Sequence, residues 1–146
     1  MKVMLLDPNG QLGQDIICAH EEAGEPFDMV SLNRDQLDVA NPEAVGHALA
    51  GVDFDALINC TCQLRTDEVE DNATLAFDVN AHSVREMAKA CAAKQARFIH
   101  FSTDHVFGGD VTCTEPFRED APIAPINVYG ASKAMGEALA RLVCDD

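Results

Sequence analysis

The chain has 146 residues, 47% of them hydrophobic, which is enough for one domain with a sizeable core and too little for two full ones. Twenty-five acidic residues against 10 basic ones leave a formal net charge of −15. That field repels a nucleic-acid backbone or an anionic membrane surface at long range, so neither is expected as a partner.

The chain opens on Met1-Lys2-Val3-Met4-Leu5-Leu6, an apolar run far too short for a signal-peptide core or a membrane span, and Asp7-Pro8 ends it. Bursts of strand length follow at intervals: Val3–Leu6, Asp28–Leu32, Ala56–Cys60 and Arg97–Phe101. Segments of helical period lie between them. From Gln11 to Ala23, Leu12, Ile16, Ile17 and Ala19 share one face and Gly24 supplies a stop. Asn41-Pro42-Glu43 is an N-cap with proline at the first helical position, opening a helix through Leu49. A longer alanine-rich helix is expected from Ala73 to Lys94, behind the acidic stretch Asp67–Asp71. Residues 108–125 carry Gly108-Gly109, three prolines and little periodicity, and read as a long ordered loop of the kind that is usually functional. A last helix is expected from Val128 through Leu142. Strand alternating with helix predicts an α/β fold, a doubly wound Rossmann-like parallel sheet.

Two motifs carry chemistry. The first is the turn Asp7-Pro8-Asn9-Gly10-Gln11-Leu12-Gly13, where a strand passes into a helix. Such a turn offers backbone N–H groups and a positive helix end to a pyrophosphate, a local attraction that an anionic dinucleotide needs against the acidic field. Gly10 and Gly13 suit close backbone approach and tight helix-on-strand packing. Asp7 puts a carboxylate where a first glycine is wanted, and affinity should fall unless it turns away to cap an N–H. Beyond the second strand, Arg34 could neutralise a 2′-phosphate, whereas Asp35 or Asp38 could bond a ribose hydroxyl or adenine; plain surface charge explains Arg34 equally well.

The second motif is Tyr129-Gly130-Ala131-Ser132-Lys133, with the chain's only tyrosine at a helix start. Ketone reduction needs a hydride donor and an acid for the forming alkoxide. A lysine one turn away lowers the phenol's affinity for its proton, and a Ser or Thr hydroxyl can hold the carbonyl oxygen. Ser102-Thr103, at the end of the fourth strand, supplies that hydroxyl. An amphipathic tyrosine covering a helix end is the plainer alternative. The six cysteines, Cys18, Cys60, Cys62, Cys91, Cys113 and Cys144, show no spacing for zinc, and no metal site is expected. Buried free thiols in a reducing cytoplasm are the favoured reading, a disulfide or redox role the other.

Gly10-Gln11-Leu12-Gly13, Leu37-Asp38-Val39, Ile58-Asn59-Cys60, Asp67 to Glu70, Ala76 to Asn80, Phe101-Ser102-Thr103-Asp104-His105-Val106-Phe107, Glu119-Asp120 and Asn127 to Lys133 together resemble the dTDP-4-dehydrorhamnose reductases. These are RmlD-like members of the extended short-chain dehydrogenase/reductase superfamily. The resemblance implies reduction, with NADPH or NADH, of the 4-keto group of a dTDP-6-deoxy-hexulose to dTDP-L-rhamnose. It implies Thr103, Tyr129 and Lys133 as the catalytic trio. Gly10, Gln11 and Leu12 would contact the pyrophosphate, Asp38 and Val39 the adenosine, and Thr61, Cys62 and Gln63 the middle of the cofactor. Ser102, Tyr129 and Lys133 would complete the cofactor site, and Asp104, His105 and Val106 would line the sugar side. The family has glycine where Asp7 stands, usually Ala-Ala-Tyr where Thr61-Cys62-Gln63 stands, and tyrosine where His105 stands.

Family members continue into further strands and a small substrate-binding domain, so residues 1–146 are expected to form the NAD(P)-binding part, with little turnover alone. The fourth strand is then an open edge, which leaves room for a homo-oligomer. Two other classes fit the same residues: a non-catalytic NAD(P)-binding regulatory subunit, and a nucleotide-sugar epimerase or dehydratase of the superfamily.

Overall fold

The computed structural model describes residues 1–110, 112 and 114–144. Strands β1 (Lys2–Leu6), β2 (Asp28–Leu32), β3 (Ala56–Asn59) and β4 (Arg97–His100) form one parallel sheet in the order β2-β1-β3-β4. In register, Val3 lies between Met29 and Ala56, and Ala56 in turn faces Arg97. β1 is central and buried from Val3 to Leu6, which is why its sequence is a continuous apolar run and not an alternating one.

Six α-helices connect and cover the sheet: α1 (Gln11–Glu22), α2 (Pro42–Ala50), α3 (Thr66–Asp71), α4 (Ala73–Phe77), α5 (Ser83–Lys94) and α6 (Val128–Arg141). The side chain of Asn41 accepts from Ala44 N–H at 3.1 Å with proline at the helix start, as the sequence predicts for α2. α2 and α5 lie on one face of the sheet. There Val45, Leu49, Met87 and Cys91 pack with Met4, Leu6 and Leu57 into the main core, and each fully buried Leu or Met contributes about 2 kcal/mol over leaving it in water.

Three expectations are corrected. α1 does not bury the face drawn from its period: Leu12 and Ala19 are exposed, Ile16 and Ile17 half-buried, and Gly13 alone is buried. The single helix expected from Ala73 to Lys94 is interrupted by a π-turn at Asp78–His82, and the acidic stretch before it is the separate helix α3. Asn80 lies in this π-turn and bonds Gln63 and Ser132 across a polar junction described below. The thiols differ from the buried set expected: Cys91 is buried and Cys60 half-buried, but Cys18 and Cys62 are exposed. Cys113 lies outside the described residues.

β4 stands at the sheet's edge as expected, with Ile99 38% and Phe101 40% exposed beside it. Residues 108–125 hold no helix or strand among the described ones; Phe107 and Phe117 stack at 5.5 Å, and Ala124 N–H donates to Val106 C=O at 2.9 Å. No helix among the described residues is long and apolar enough to cross a membrane.

Candidate functional site

The carboxyl ends of β1, β2 and β3 open onto a groove whose two stretches share Asp7 and Cys62. At its first end, Asp7 adopts φ +63°, a left-handed conformation that glycine takes freely and that most L-residues enter at a cost of about 1–2 kcal/mol. Asp7 N–H donates to Leu32 C=O at 3.1 Å, and its own carbonyl accepts from Gly10 N–H at 3.3 Å. Its carboxylate stands against Gly10, where a Cβ would strike it. Gly13 is packed on the turn so closely that a Cβ would collide with the Asp7 carbonyl. Gly10 offers no side chain to cap α1, so the helix presents its first N–H groups outward, with Gln11 and Leu12 exposed beside them.

The next stretch of groove is lined by Asp7, Arg34, Asp38, Val39, Thr61, Cys62 and Gln63. Arg34 and Asp38 form an exposed ion pair at 3.9 Å, and Asp38 also accepts from Ala40 N–H at 3.0 Å. Asp35 is exposed and outside this lining.

Residues 61–63 are held from both sides. Asn59 Oδ1 accepts from Thr61 N–H at 3.0 Å and from the Thr61 hydroxyl at 2.6 Å, which leaves Asn59 Nδ2 to donate to His100 Nδ1 at 3.1 Å. Asn80, 1% exposed, clasps the backbone of Gln63: its Oδ1 accepts from Gln63 N–H at 2.8 Å and its Nδ2 donates to Gln63 C=O at 3.0 Å. The same Nδ2 reaches Ser132 Oγ on α6 at 3.0 Å, and Ser132 Oγ donates to Tyr129 C=O at 2.8 Å. The π-turn aims Asn80 at this junction; π-turns of this kind are frequent at functional sites.

Beyond Cys62, which touches the Tyr129 hydroxyl, the site continues on α6. Asn127 caps it by accepting from Gly130 N–H at 2.7 Å, and the Glu70 carboxylate on α3 accepts from Val128 N–H at 2.7 Å. Tyr129 and Lys133, one turn apart, are 6% and 3% exposed. Burial pushes the phenol up to about 12; the Cys62 thiol adds to the rise and the Thr103 hydroxyl pulls the other way. The Lys133 ammonium donates to Phe101 C=O at 2.5 Å and lies 3.4 Å from His100 Nε2. Burial lowers the basicity of Lys133, and burial with the facing ammonium lowers His100 to about 3, so the imidazole is neutral.

Of the residues singled out in the sequence, the structure gathers Thr103, Tyr129 and Cys62 into contact and sets Lys133 behind them. Ser102 turns elsewhere, its hydroxyl donating to Glu137 on α6. Asp104 and His105 are exposed, and the His105 ring meets Tyr129 edge-on at 5.4 Å. Val106 is buried, which turns its side chain into the protein. Asn59, Asn80, His100 and Ser132 have no place among the sequence candidates. Their signal was a polar residue inside an otherwise apolar strand or helix, which marks a buried hydrogen-bonding role. Among the described residues no group of three or more His, Cys, Asp and Glu side chains is arranged to hold a metal.

The family model described as RmlD substrate binding domain matches residues 1–146. A dTDP-4-dehydrorhamnose reductase of Mycobacterium tuberculosis is 36% identical over 138 residues, covering 93% of this chain and 44% of that protein. The crystal structure of a dTDP-4-dehydrorhamnose reductase from Clostridium acetobutylicum superposes with a TM-score of 0.91 at 28% identity, over 99% of this chain and 50% of that one. That of the Bacillus anthracis reductase in complex with NADP gives 0.86 at 32% identity, over 98% and 50%. The chain spans about half the length of the curated relatives it matches. With the match running from the first residue to the last, the chain belongs to the RmlD substrate binding domain family.

Proposed function

We propose that this chain carries the cofactor-binding and proton-donating part of an NAD(P)H-dependent nucleotide-sugar reductase, which converts the 4-keto group of dTDP-6-deoxy-L-lyxo-4-hexulose into the alcohol of dTDP-L-rhamnose. One observation carries the reading. Cys62 lines both the groove at the α1 N-terminus and the groove at Asp38, and also touches the Tyr129 hydroxyl. A dinucleotide laid along that groove therefore runs to the one phenol in the chain. The residues fit such a group: α1 offers uncapped N–H donors, Gly13 leaves no room for a side chain, and Arg34 with Asp38 meets the adenosine end.

In this reading Gly10, Gln11 and Leu12 bind the pyrophosphate, Asp38 and Val39 the adenosine, Thr61, Cys62 and Gln63 the central part, and Lys133 the nicotinamide side, while Ser102, bonded to Glu137, stays out of the site. When bound, the reduced nicotinamide supplies a hydride to the carbonyl carbon. The Thr103 hydroxyl orients the carbonyl oxygen, and Tyr129 Oη gives that oxygen its proton as the negative charge develops. The phenolate left behind is reprotonated by solvent, and the buried Lys133 ammonium, bonded to Phe101 C=O, holds the end of β4 against α6. Asp104 and His105 face the sugar.

The domain reading is that residues 1–146 bind the cofactor, while turnover needs binding energy from the remainder of a protein of the relatives' length. NADPH fluorescence titration of the 146-residue chain, paired with turnover of the dTDP-4-keto sugar, tests both. Saturable NADPH binding without turnover is expected. Turnover by this chain that Tyr129→Phe abolishes would remove the domain reading and keep the chemistry; turnover unaffected by Tyr129→Phe would remove the chemistry. A non-catalytic NAD(P)-binding role is the second reading, favoured by the firmly held Tyr129 proton. It predicts NADPH binding with no turnover even when residues 1–146 are joined to the C-terminal half of a relative.

A further inference from the structure

Tyr129 is faced from several elements. Thr103, Asp104 and His105 follow β4, Glu70 on α3 stands at the start of its helix, Lys133 lies one turn on, and Cys62 comes from the loop after β3. Of these, Cys62 alone is an acid that can compete with the phenol for its proton and also contacts its oxygen. The thiol donates to Tyr129 Oη at 3.8 Å.

We propose that Cys62 is a positioning residue for Tyr129, its thiol holding the phenol oxygen where the two stretches of the groove meet. The proposal rests on Tyr129 as the proton donor of the proposed reaction. A thiol is ordinarily the stronger acid, with a reference pKa of about 8.5 against about 10 for the phenol. A thiolate at this place accepts from the Tyr129 O–H. In that state the phenol's proton is held by sulfur and is not offered to a carbonyl, which agrees with the thiol's upward pull on Tyr129.

The loop geometry makes this a built contact. Thr61 is fixed by Asn59 and Gln63 is clasped by Asn80, so the residue between them has little freedom to swing away. The half-buried Cys60, two residues back, faces Asp7 instead, and burial with that carboxylate pushes its thiol up to about 11. Two thiols on one loop thus have opposite surroundings, and only one reaches the phenol.

The chain contains one tyrosine and no tryptophan, so its ultraviolet phenolate band reports Tyr129 alone. In Cys62→Ala the midpoint of that band should fall by about one pH unit, the size of one lost charge-assisted hydrogen bond. In Cys60→Ala it should stay where it is. Equal midpoints in the native chain and Cys62→Ala overturn the proposal. Because alkali unfolds many proteins, a second arm runs near neutral pH on the folded protein, with alkylation of Cys62 by iodoacetamide followed by mass spectrometry. Coupling is reciprocal, so Tyr129→Phe should slow Cys62 alkylation about fivefold relative to the exposed Cys18, by loss of one donor to the thiolate. An unchanged or faster rate overturns the proposal whatever the optical titration shows. Neither arm needs turnover. If both succeed while Tyr129→Phe leaves reduction intact, the coupled pair stands and the reductase reading falls.

Discussion

The two ends of the groove are built from different material. At the Asp7–Gly13 end the working groups are backbone: a left-handed residue, a carbonyl pressed on a glycine, and the open N–H groups of α1. At the Tyr129–Lys133 end they are buried side chains, on a helix that Asn80, Ser132 and Asn127 pin in place through their own side chains. A backbone site tolerates any exposed side chain but no Cβ at the point of contact. The side-chain site tolerates small shifts of backbone but not the loss of a partner, because a buried polar group left unpaired is costly. The Asn59 and Asn80 clasps on residues 61–63 join the two, so the middle of the groove inherits its rigidity from the side-chain end.

Gly13→Ala attacks the backbone end most directly. The added methyl meets the Asp7 carbonyl and Pro8 Cα, both main-chain atoms that cannot swing aside, and a loss of about 3 kcal/mol in urea unfolding is expected. A loss below about 0.5 kcal/mol, within ordinary surface substitutions, would show that the turn is soft and the contrast overdrawn.

The side-chain end has its own signature in pH. His100 titrates near 3 in the folded chain against its ordinary 6.5, so the unfolded state takes up a proton first as acid is added. Stability is therefore full above about pH 6.5 and declines as pH falls toward 3, with a loss of about 2 kcal/mol between pH 7 and pH 5. Urea unfolding at the two values measures it, and His100→Gln should flatten the difference. A slope that survives in His100→Gln would assign it to other groups.

The smallest expected effect belongs to Asp7→Gly. It relieves the left-handed conformation at φ +63° and removes a carboxylate from the phosphate end, raising stability by about 1 kcal/mol and tightening NADPH about fivefold. Equal affinities by fluorescence titration would take Asp7 out of the electrostatics of the groove.

The strand and helix order was legible because β1 is apolar from Val3 to Leu6 and α2 announces itself with Asn41-Pro42. The α1 surface was not: its apolar period is real, yet Leu12 faces the groove side with the exposed Gln11, and no count of apolar spacing tells a core face from a ligand face. The relation of Tyr129 to Lys133 was legible as spacing but not as contact. An i, i+4 pair shares a helix face, whereas the Lys133 ammonium is drawn to Phe101 C=O just past β4, a partner distant in sequence. Asn80 was hidden for the same reason, since its three bonds run to residues 17 and 52 positions away.

The π-turn at Asp78–His82 also restricts how the length of this segment can change. A π-turn holds one residue more than the α-helical turn it replaces. Deleting a single residue there would heal α4 and α5 into a regular helix, and local helix energy would favour it. The repair would also rotate everything upstream by about 100° relative to α5, carrying Asn80 off Gln63 and its carbonyl off Gly136, where α6 crosses closely enough to exclude a Cβ. A gain in helical regularity would thus cost the groove its hinge point, so insertions and deletions between residues 78 and 82 should be far less tolerated than in the 108–125 loop, although both lie outside the sheet.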